Sequence, residues 1–276
     1  MMYSLRPSSM PRLIRYVGSR LAILLASVAL LPVDALVAEQ IPVRHVEGVI
    51  HGFLVVRTPE GKAIADGDLS QVVERGRTIE HVTFRFHDGS TLEETTVFSQ
   101  HGQFRLLSDH LVQAGPSFKH PMDTSIDVSS GRVTVGYTDE DGTQRVMTER
   151  LKLPPDLANG LLLILLKNIE PSQVRTTVSM VAATPKPRLI KLAISQSDAD
   201  TVSVGSHQHE TTHFVVKVEV GGIAGVVAPL LGKQPPDTHV WILKSESPIF
   251  IKSNGPLYED GPIWRIELAN PDYSKE

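Results

Sequence analysis

Three histidines crowd one short stretch of this chain, His207, His209 and His213, with Glu210 among them. In an extended segment alternate residues point the same way, so His207 and His209 would stand on one side about 7 Å apart. Imidazoles at that spacing can hold zinc or copper, with His213 or Glu210 as a third ligand. The competing reading is a polar loop that enters a strand starting near His213, because no flanking metalloenzyme pattern accompanies the histidines. A metal-dependent enzyme therefore stands as an alternative for this chain rather than its leading reading.

Other reactive residue types fall in arrangements that exclude the chemistry they suggest. Ser108, Asp109 and His110 are consecutive, and neighbouring side chains on a strand face opposite ways, so they cannot form a hydrolytic triad. No Gly-x-Ser-x-Gly elbow is present to expose a nucleophile. Glu93 and Glu94 would likewise face apart and read as surface charge. Asp139, Glu140, Asp141 and Gly142 carry part of a calcium-loop pattern but lack its remaining ligands, and read as a hairpin turn. Gly221-Gly222 lacks the residues of a phosphate loop. No catalytic residue and no cofactor is expected.

The apolar residues are more suggestive. Val220 to Leu231 runs twelve residues without a charge and is rich in Gly and Ala. It suits either an apolar lid or a crossover packed under a sheet. Val82, Phe84 and Phe86 share one face of a strand, and His239 and Trp241 share one face of another. Should those faces line a hollow, Phe84, Phe86, Leu163, Val227 and Trp241 are the candidate contacts for a hydrophobic guest. Trp264, on a further strand, suits the core.

Composition bounds these readings. The chain has 276 residues, 41% hydrophobic and 21% charged, with enough apolar material for a core. Cysteine is absent, which excludes disulfides, thiolate catalysis and Cys-ligated zinc. Residues 1–33 hold Arg6, Arg12, Arg15 and Arg20 and no acid, and end in an apolar run from Leu21 to Val33. That pattern predicts a signal peptide over 1–38, since thirteen apolar residues fall short of the roughly 20 that span a bilayer. Removing it takes four arginines and Asp34 from 27 basic and 31 acidic residues, leaving a net charge of −7. Nucleic acid is a poor partner for that surface. With no second long apolar run, no transmembrane span is expected after signal removal, and 39–276 reads as a single β-rich domain in the periplasm or outside the cell.

The elements that must position these residues are strands. From Val43 to Leu153 turn pairs recur at Gly61, Gly76, Gly89, Gly102, Gly115, Gly131 and Gly142. The runs between them are rich in Val, Ile, Thr and Phe, which predicts a meander of about seven antiparallel strands. Pro154, Pro155 and Asp156 open a leucine-rich segment that predicts one short buried helix over 154–168. A second strand-rich half follows from Val174 to Leu268. The expected fold is mainly β: a long antiparallel meander forming a curved sheet or half-barrel around that helix. The signal segment, the meander and the closing strands Pro235–Leu243 and Ile263–Leu268 resemble uncharacterised bacterial envelope proteins of the domain-of-unknown-function kind. These are similar to the periplasmic lipoprotein-carrier half-barrels. The resemblance implies an envelope location and a hydrophobic cargo. The leading expectation is an exported, non-enzymatic protein that binds an acyl or lipid-like group on the concave face. The alternative is an envelope scaffold or protein-interaction domain with a filled core.

Overall fold

The two-residue alternation that marks the strands also decides which side of the sheet each residue serves. The computed structural model describes residues 40–139, 141–197, 199–204, 207–219 and 235–269. Eight strands fill the first half: β1 (Ile50–Arg57), β2 (Ala63–Glu74), β3 (Arg77–Phe86), β4 (Thr91–His101), β5 (Gln103–Ala114), β6 (Met122–Asp127), β7 (Arg132–Thr138) and β8 (Gln144–Arg150). The glycine-marked turns all fall between them, so the meander holds one strand more than expected. After α1 (Leu162–Asn168) come β9 (Arg175–Ala182), β10 (Arg188–Gln196), β11 (Asp200–Val204), β12 (His207–Glu219), β13 (Thr238–Leu243), β14 (Ile249–Gly255) and β15 (Trp264–Leu268).

All these strands join one antiparallel sheet in the order β8 to β1, then β15-β14-β13-β12-β10-β9, with β11 on the side of β12. Pairing of β1 with β15 brings the two halves together, with Val56 opposite Ile266. Strands β8 and β9 end the path and do not pair with each other, so the curved sheet is not closed. No helix among the described residues is long and apolar enough to cross a membrane.

Burial divides the concave side into two cores. The larger gathers Leu161, Ile164 and Leu165 around α1 against Phe98, Ile126, Val133 and Val135 from the first half and Val178, Ile194, Phe214 and Val240 from the second. The smaller holds Leu54, Val56, Phe84, Phe86, Phe118 and Trp264. Phe118 packs edge-on against Phe86 at 5.4 Å and Tyr258 at 5.5 Å, so rings fill that end of the trough. Gly67 makes room here, since a Cβ at that position would lie 2.5 Å from the Phe84 ring.

The helix is shorter than the expected 154–168. Residues 156–159 instead cover the edge of β9: Ala158 N–H donates to Ser179 O at 2.8 Å, and the Asn159 side chain bonds both backbone groups of Val181. Gly160 then takes φ +64 and seats its backbone against Thr96 and Asp109, where a Cβ would fall 1.9 Å from Thr96 Oγ1. A left-handed turn at such close approach needs glycine, and it delays the helix to Leu162. The helix is buried on most sides, yet Leu163 remains 37% exposed.

Asn168, fully buried at the helix end, ties down the incoming chain. Its Oδ1 accepts the N–H groups of Arg44 at 2.8 Å and His45 at 2.7 Å, and its Nδ2 donates to Ile164 O. Beside it Lys167 pairs with Glu47 at 2.6 Å, both largely buried.

The convex side carries a different pattern. Strand register places His51 opposite Ser70, Ser70 opposite His81, and His81 opposite Thr95. The same row continues from Thr95 through His110, Ser125 and Thr134 to Thr148. Eight neighbouring strands thus present one hydroxyl or imidazole each, in line, over about 33 Å at the usual strand spacing.

Candidate functional site

The described surface has hollows on both faces of the sheet. One, of about 420 Å³, lies on the convex row around Ser125. Another, of about 310 Å³, opens on the concave side where the helix ends, and is the candidate site. Its floor is apolar: Leu166 and Ile169 follow from the helix, and Phe214 and Ile242 come from β12 and β13. Phe214 stands opposite Val240, and Thr212 opposite Ile242, so alternation sends all four toward the helix. Leu243 and Pro248 extend the apolar wall.

The rim carries cations. Arg44, Lys167 and Lys244 stand around the floor, with the His45 imidazole beside them. Arg44 donates to Ile169 O at 3.3 Å and lies 4.0 Å from Glu170 across an exposed gap. Lys244 pairs with exposed Glu210. Such surface pairs are worth little and exchange readily for another anion. An apolar pocket of a few hundred Å³ with a few charges at its mouth is the usual form of a small-molecule site. It suits an amphiphile whose tail meets the floor and whose anionic end meets the rim.

Beyond the cleft the concave wall turns acidic. Glu80, Glu94 and Asp109 stand on inward positions of β3, β4 and β5, since Glu80 and Asp109 both oppose Thr96 in register. Burial pushes the Glu80 carboxyl up to about 7; Lys167 opposes that rise and Glu47 adds to it. Burial raises Glu94 well above the ordinary range, with like charge from Asp109 and Glu80 behind it. Burial also raises Asp109 to about 6, although a 3.0 Å hydrogen bond from Thr96 Oγ1 favours its charged form. Cross-strand from Glu80, the 1% exposed Gln71 donates Nε2 to Gly48 O, while its Oε1 finds no partner among the described residues. Reading Glu94 as surface charge is thus corrected: it shares a face with Leu92, Thr96 and Phe98. That phase with two core residues was the signal available in the sequence. Nothing local marked Asn168, Lys167 or Arg44, whose roles depend on contacts more than a hundred residues apart.

The residues singled out in the sequence do not converge on this cleft. Phe84 and Phe86 lie in the smaller core, packed among Phe118 and Trp264. Leu163 is turned outward, and Val227, with the whole stretch Val220–Leu231, lies outside the described residues, as do residues 1–38. Trp241 sits on the face opposite Val240 and Ile242. There its ring stacks on His213 at 4.5 Å and 5°, its Nε1 donates to Asp200 at 2.8 Å, and Lys252 Nζ stands 4.5 Å over it. Its neighbours Val202 and Ile251 complete a small cluster on that face.

The histidines are likewise spread. Regular extension along β12 separates His209 from His213 by about 13 Å, with fully buried Thr211 between them. His213 instead meets His239, Nε2 to Nδ1 at 2.9 Å. Burial lowers the His213 pKa, His239 and Lys252 lower it further, and Asp200 opposes them. The His207 side chain lies outside the described part. Among the described residues no three His, Asp or Glu side chains gather as metal ligands do.

No family model matches the chain, and no curated protein matches it. Among solved structures the chain is similar to a beta-barrel-like protein of domain of unknown function DUF1849 from Brucella abortus, at 10% identity and a TM-score of 0.42. That likeness covers 86% of this chain and 99% of the other.

Proposed function

We propose that this chain is an exported, non-enzymatic protein that binds a short acyl or lipid-like group with an anionic end. The guest would lie in the cleft beside the end of α1, tail on Leu166, Phe214 and Ile242 and head toward Arg44 and Lys244. The observation that carries this reading is an apolar floor under a cationic rim on the concave face, in a hollow of about 310 Å³. Export and an envelope location rest on the arginine-led apolar segment at residues 1–38, and the resemblance to lipoprotein-carrier half-barrels agrees with a greasy cargo. The guest is short, because the acidic wall and the ring-filled smaller core occupy the rest of the trough.

The test is titration with dodecanoate, followed by calorimetry, for the natural chain and for Thr212→Trp. Thr212 lines the cleft and makes no side-chain hydrogen bond among the described residues, so the indole fills the hollow without stranding a partner. Saturable binding that the substitution abolishes supports the proposal. Absence of binding in the natural chain, or equal binding in both, overturns it. A second reading, an envelope scaffold with a protein partner, is favoured by how much of the trough its own side chains fill. That reading expects no dodecanoate binding and no lipid in native mass spectra of the purified chain.

A further inference from the structure

The larger hollow lies on the other face and has chemistry unlike the first. Thr95, His110, Ser125 and Thr134 line it from the in-line row, and Ser108, Asp127 and Arg132 border it. A bulge on β5 explains its place: register with β4 shifts between Val97 and Phe98, just where Ser108 enters the lining. Bulges bend a strand and add twist, which opens an otherwise flat face.

We propose that this hollow and the row through it bind a neutral, polyhydroxylated chain, an uncharged oligosaccharide lying across the strands. Hydroxyls and imidazoles both donate and accept hydrogen bonds, as sugar hydroxyls do, and the row contains no carboxylate and no ammonium group. Asp127 and Arg132, which border the hollow, have opposite sign; Asp109 and Ile126 also belong to its lining, on inward-facing positions of β5 and β6. Arg132 has no carboxylate within ion-pair distance among the described residues, and Asp127 is held ionised by the hydroxyls of Ser129 and Ser130, which keep it at about 2. An anionic ligand would face Asp127 and Asp123, and a cationic one would face Arg132. A neutral polyol can use the guanidinium as donor and the carboxylate as acceptor.

Geometry supports a chain rather than a single ring. Adjacent strands are about 4.8 Å apart, close to the length of one pyranose unit in an extended oligosaccharide, so successive rings meet successive side chains. Several groups keep free capacity. His110 Nε2 is bonded to Asp123 at 2.8 Å, which leaves Nδ1 for a guest, and the hydroxyls of Ser108 and Ser125 make no hydrogen bond among the described residues. At the β1 end Phe53, 57% exposed, stands edge-on to His51 with ring centroids 5.0 Å apart. It offers an apolar ring to the C–H face of a sugar.

The test uses the full chain with maltohexaose and chitohexaose as neutral probes and a sulfated hexasaccharide as the charged one, read by saturation-transfer NMR and calorimetry. Weak, millimolar-range binding of at least one neutral probe is expected, reduced about tenfold by Ser125→Ala with Thr134→Val. Thr212→Trp, on the opposite face, leaves that binding unchanged, which separates this site from the concave cleft. Ser125→Trp, at an exposed position, plugs the hollow and abolishes binding, and serves if the double variant does not fold. The proposal is overturned if neither neutral hexasaccharide binds, if the variants bind as well as the natural chain, or if the sulfated probe binds more tightly.

Discussion

Replacing Asp109 by Asn is the sharpest probe of the acidic concave wall. Asp109 is 3% exposed, and burial holds its carboxyl at about 6 rather than 3.8. At about 1.4 kcal/mol per pH unit, the ionised form costs the fold about 3 kcal/mol above pH 7. Because the folded pKa is raised, the folded state holds its proton more tightly than the unfolded chain does. The stability linked to that proton is complete below pH 3.8 and is lost as pH rises through 6. In Asp109→Asn the new side chain keeps the oxygen that accepts from Thr96 and carries no charge at any pH. Two terms reduce the gain. Its amide adds donors in a buried place, at a cost of about 1 kcal/mol. Glu94 also shares the titration, so part of the raised pKa belongs to the pair. The expected outcome is a variant about 1–2 kcal/mol more stable than the natural chain at pH 8 and slightly less stable at pH 4. Urea unfolding followed by tryptophan fluorescence at several pH values measures it. A stability difference that is the same at pH 4 and pH 8 would refute the assignment of Asp109 as a buried, proton-retaining carboxyl.

Three further outcomes follow from particular contacts. Gly160→Ala should cost roughly 2–4 kcal/mol, from the left-handed backbone and the collision with Thr96, read as a lower urea midpoint. Asn168→Leu strands the amides of Arg44 and His45 and should cost roughly 2–4 kcal/mol, with faster hydrogen exchange at both amides, whereas Asn168→Asp preserves the acceptor and most of the protection. Lys252→Met removes a cation that lowers the His213 pKa, so the imidazole should titrate higher in NMR while staying below 6.5, because burial is the larger cause.

Legibility in the sequence followed the range of the interactions. Strands and turns are local, and the glycines at positive φ, such as Gly76 and Gly89, sit where two-residue alternation pauses. Alternation also sorted Val82, Phe84 and Phe86 correctly onto one face. It could not say whether a face looks inward or outward, since that depends on which side the sheet curls toward. Trp241 shows the consequence. Its strand is apolar on both sides, and Val202 and Asp200 of β11 pack on the outer one, so an apolar position there gave no sign of lying away from the helix. The helix start was misplaced because Pro154 and Asp156 resemble a capped first turn, while hydrogen bonds to a strand more than twenty residues later hold that segment in turns around a bridge between Leu157 and Ser179. The rim of the cleft was hidden for the same reason: Arg44 and Lys244 lie about two hundred residues apart, and they meet through the Asn168 side chain that holds Arg44 and the Glu210 carbonyl that holds Lys244.

That separation bears on how one sheet supports two different faces. A strand that is greasy inside and hydroxylated outside must keep a strict phase over many residues, and a one-residue slip would exchange the two. The in-line row from His51 to Thr148 holds that phase across eight strands. Between the two cores the inner face breaks its own apolar rule at Gln71, Glu80, Glu94 and Asp109, which lie on four adjacent strands in neighbouring register. Four polar residues clustered in this way are not scattered errors of patterning. They form a band, and the proton retained there makes its cost depend on pH. On this account the band sets the inner limit of the cleft, because an alkyl tail reaching it would bury carboxyl groups away from water and gain no contact in return.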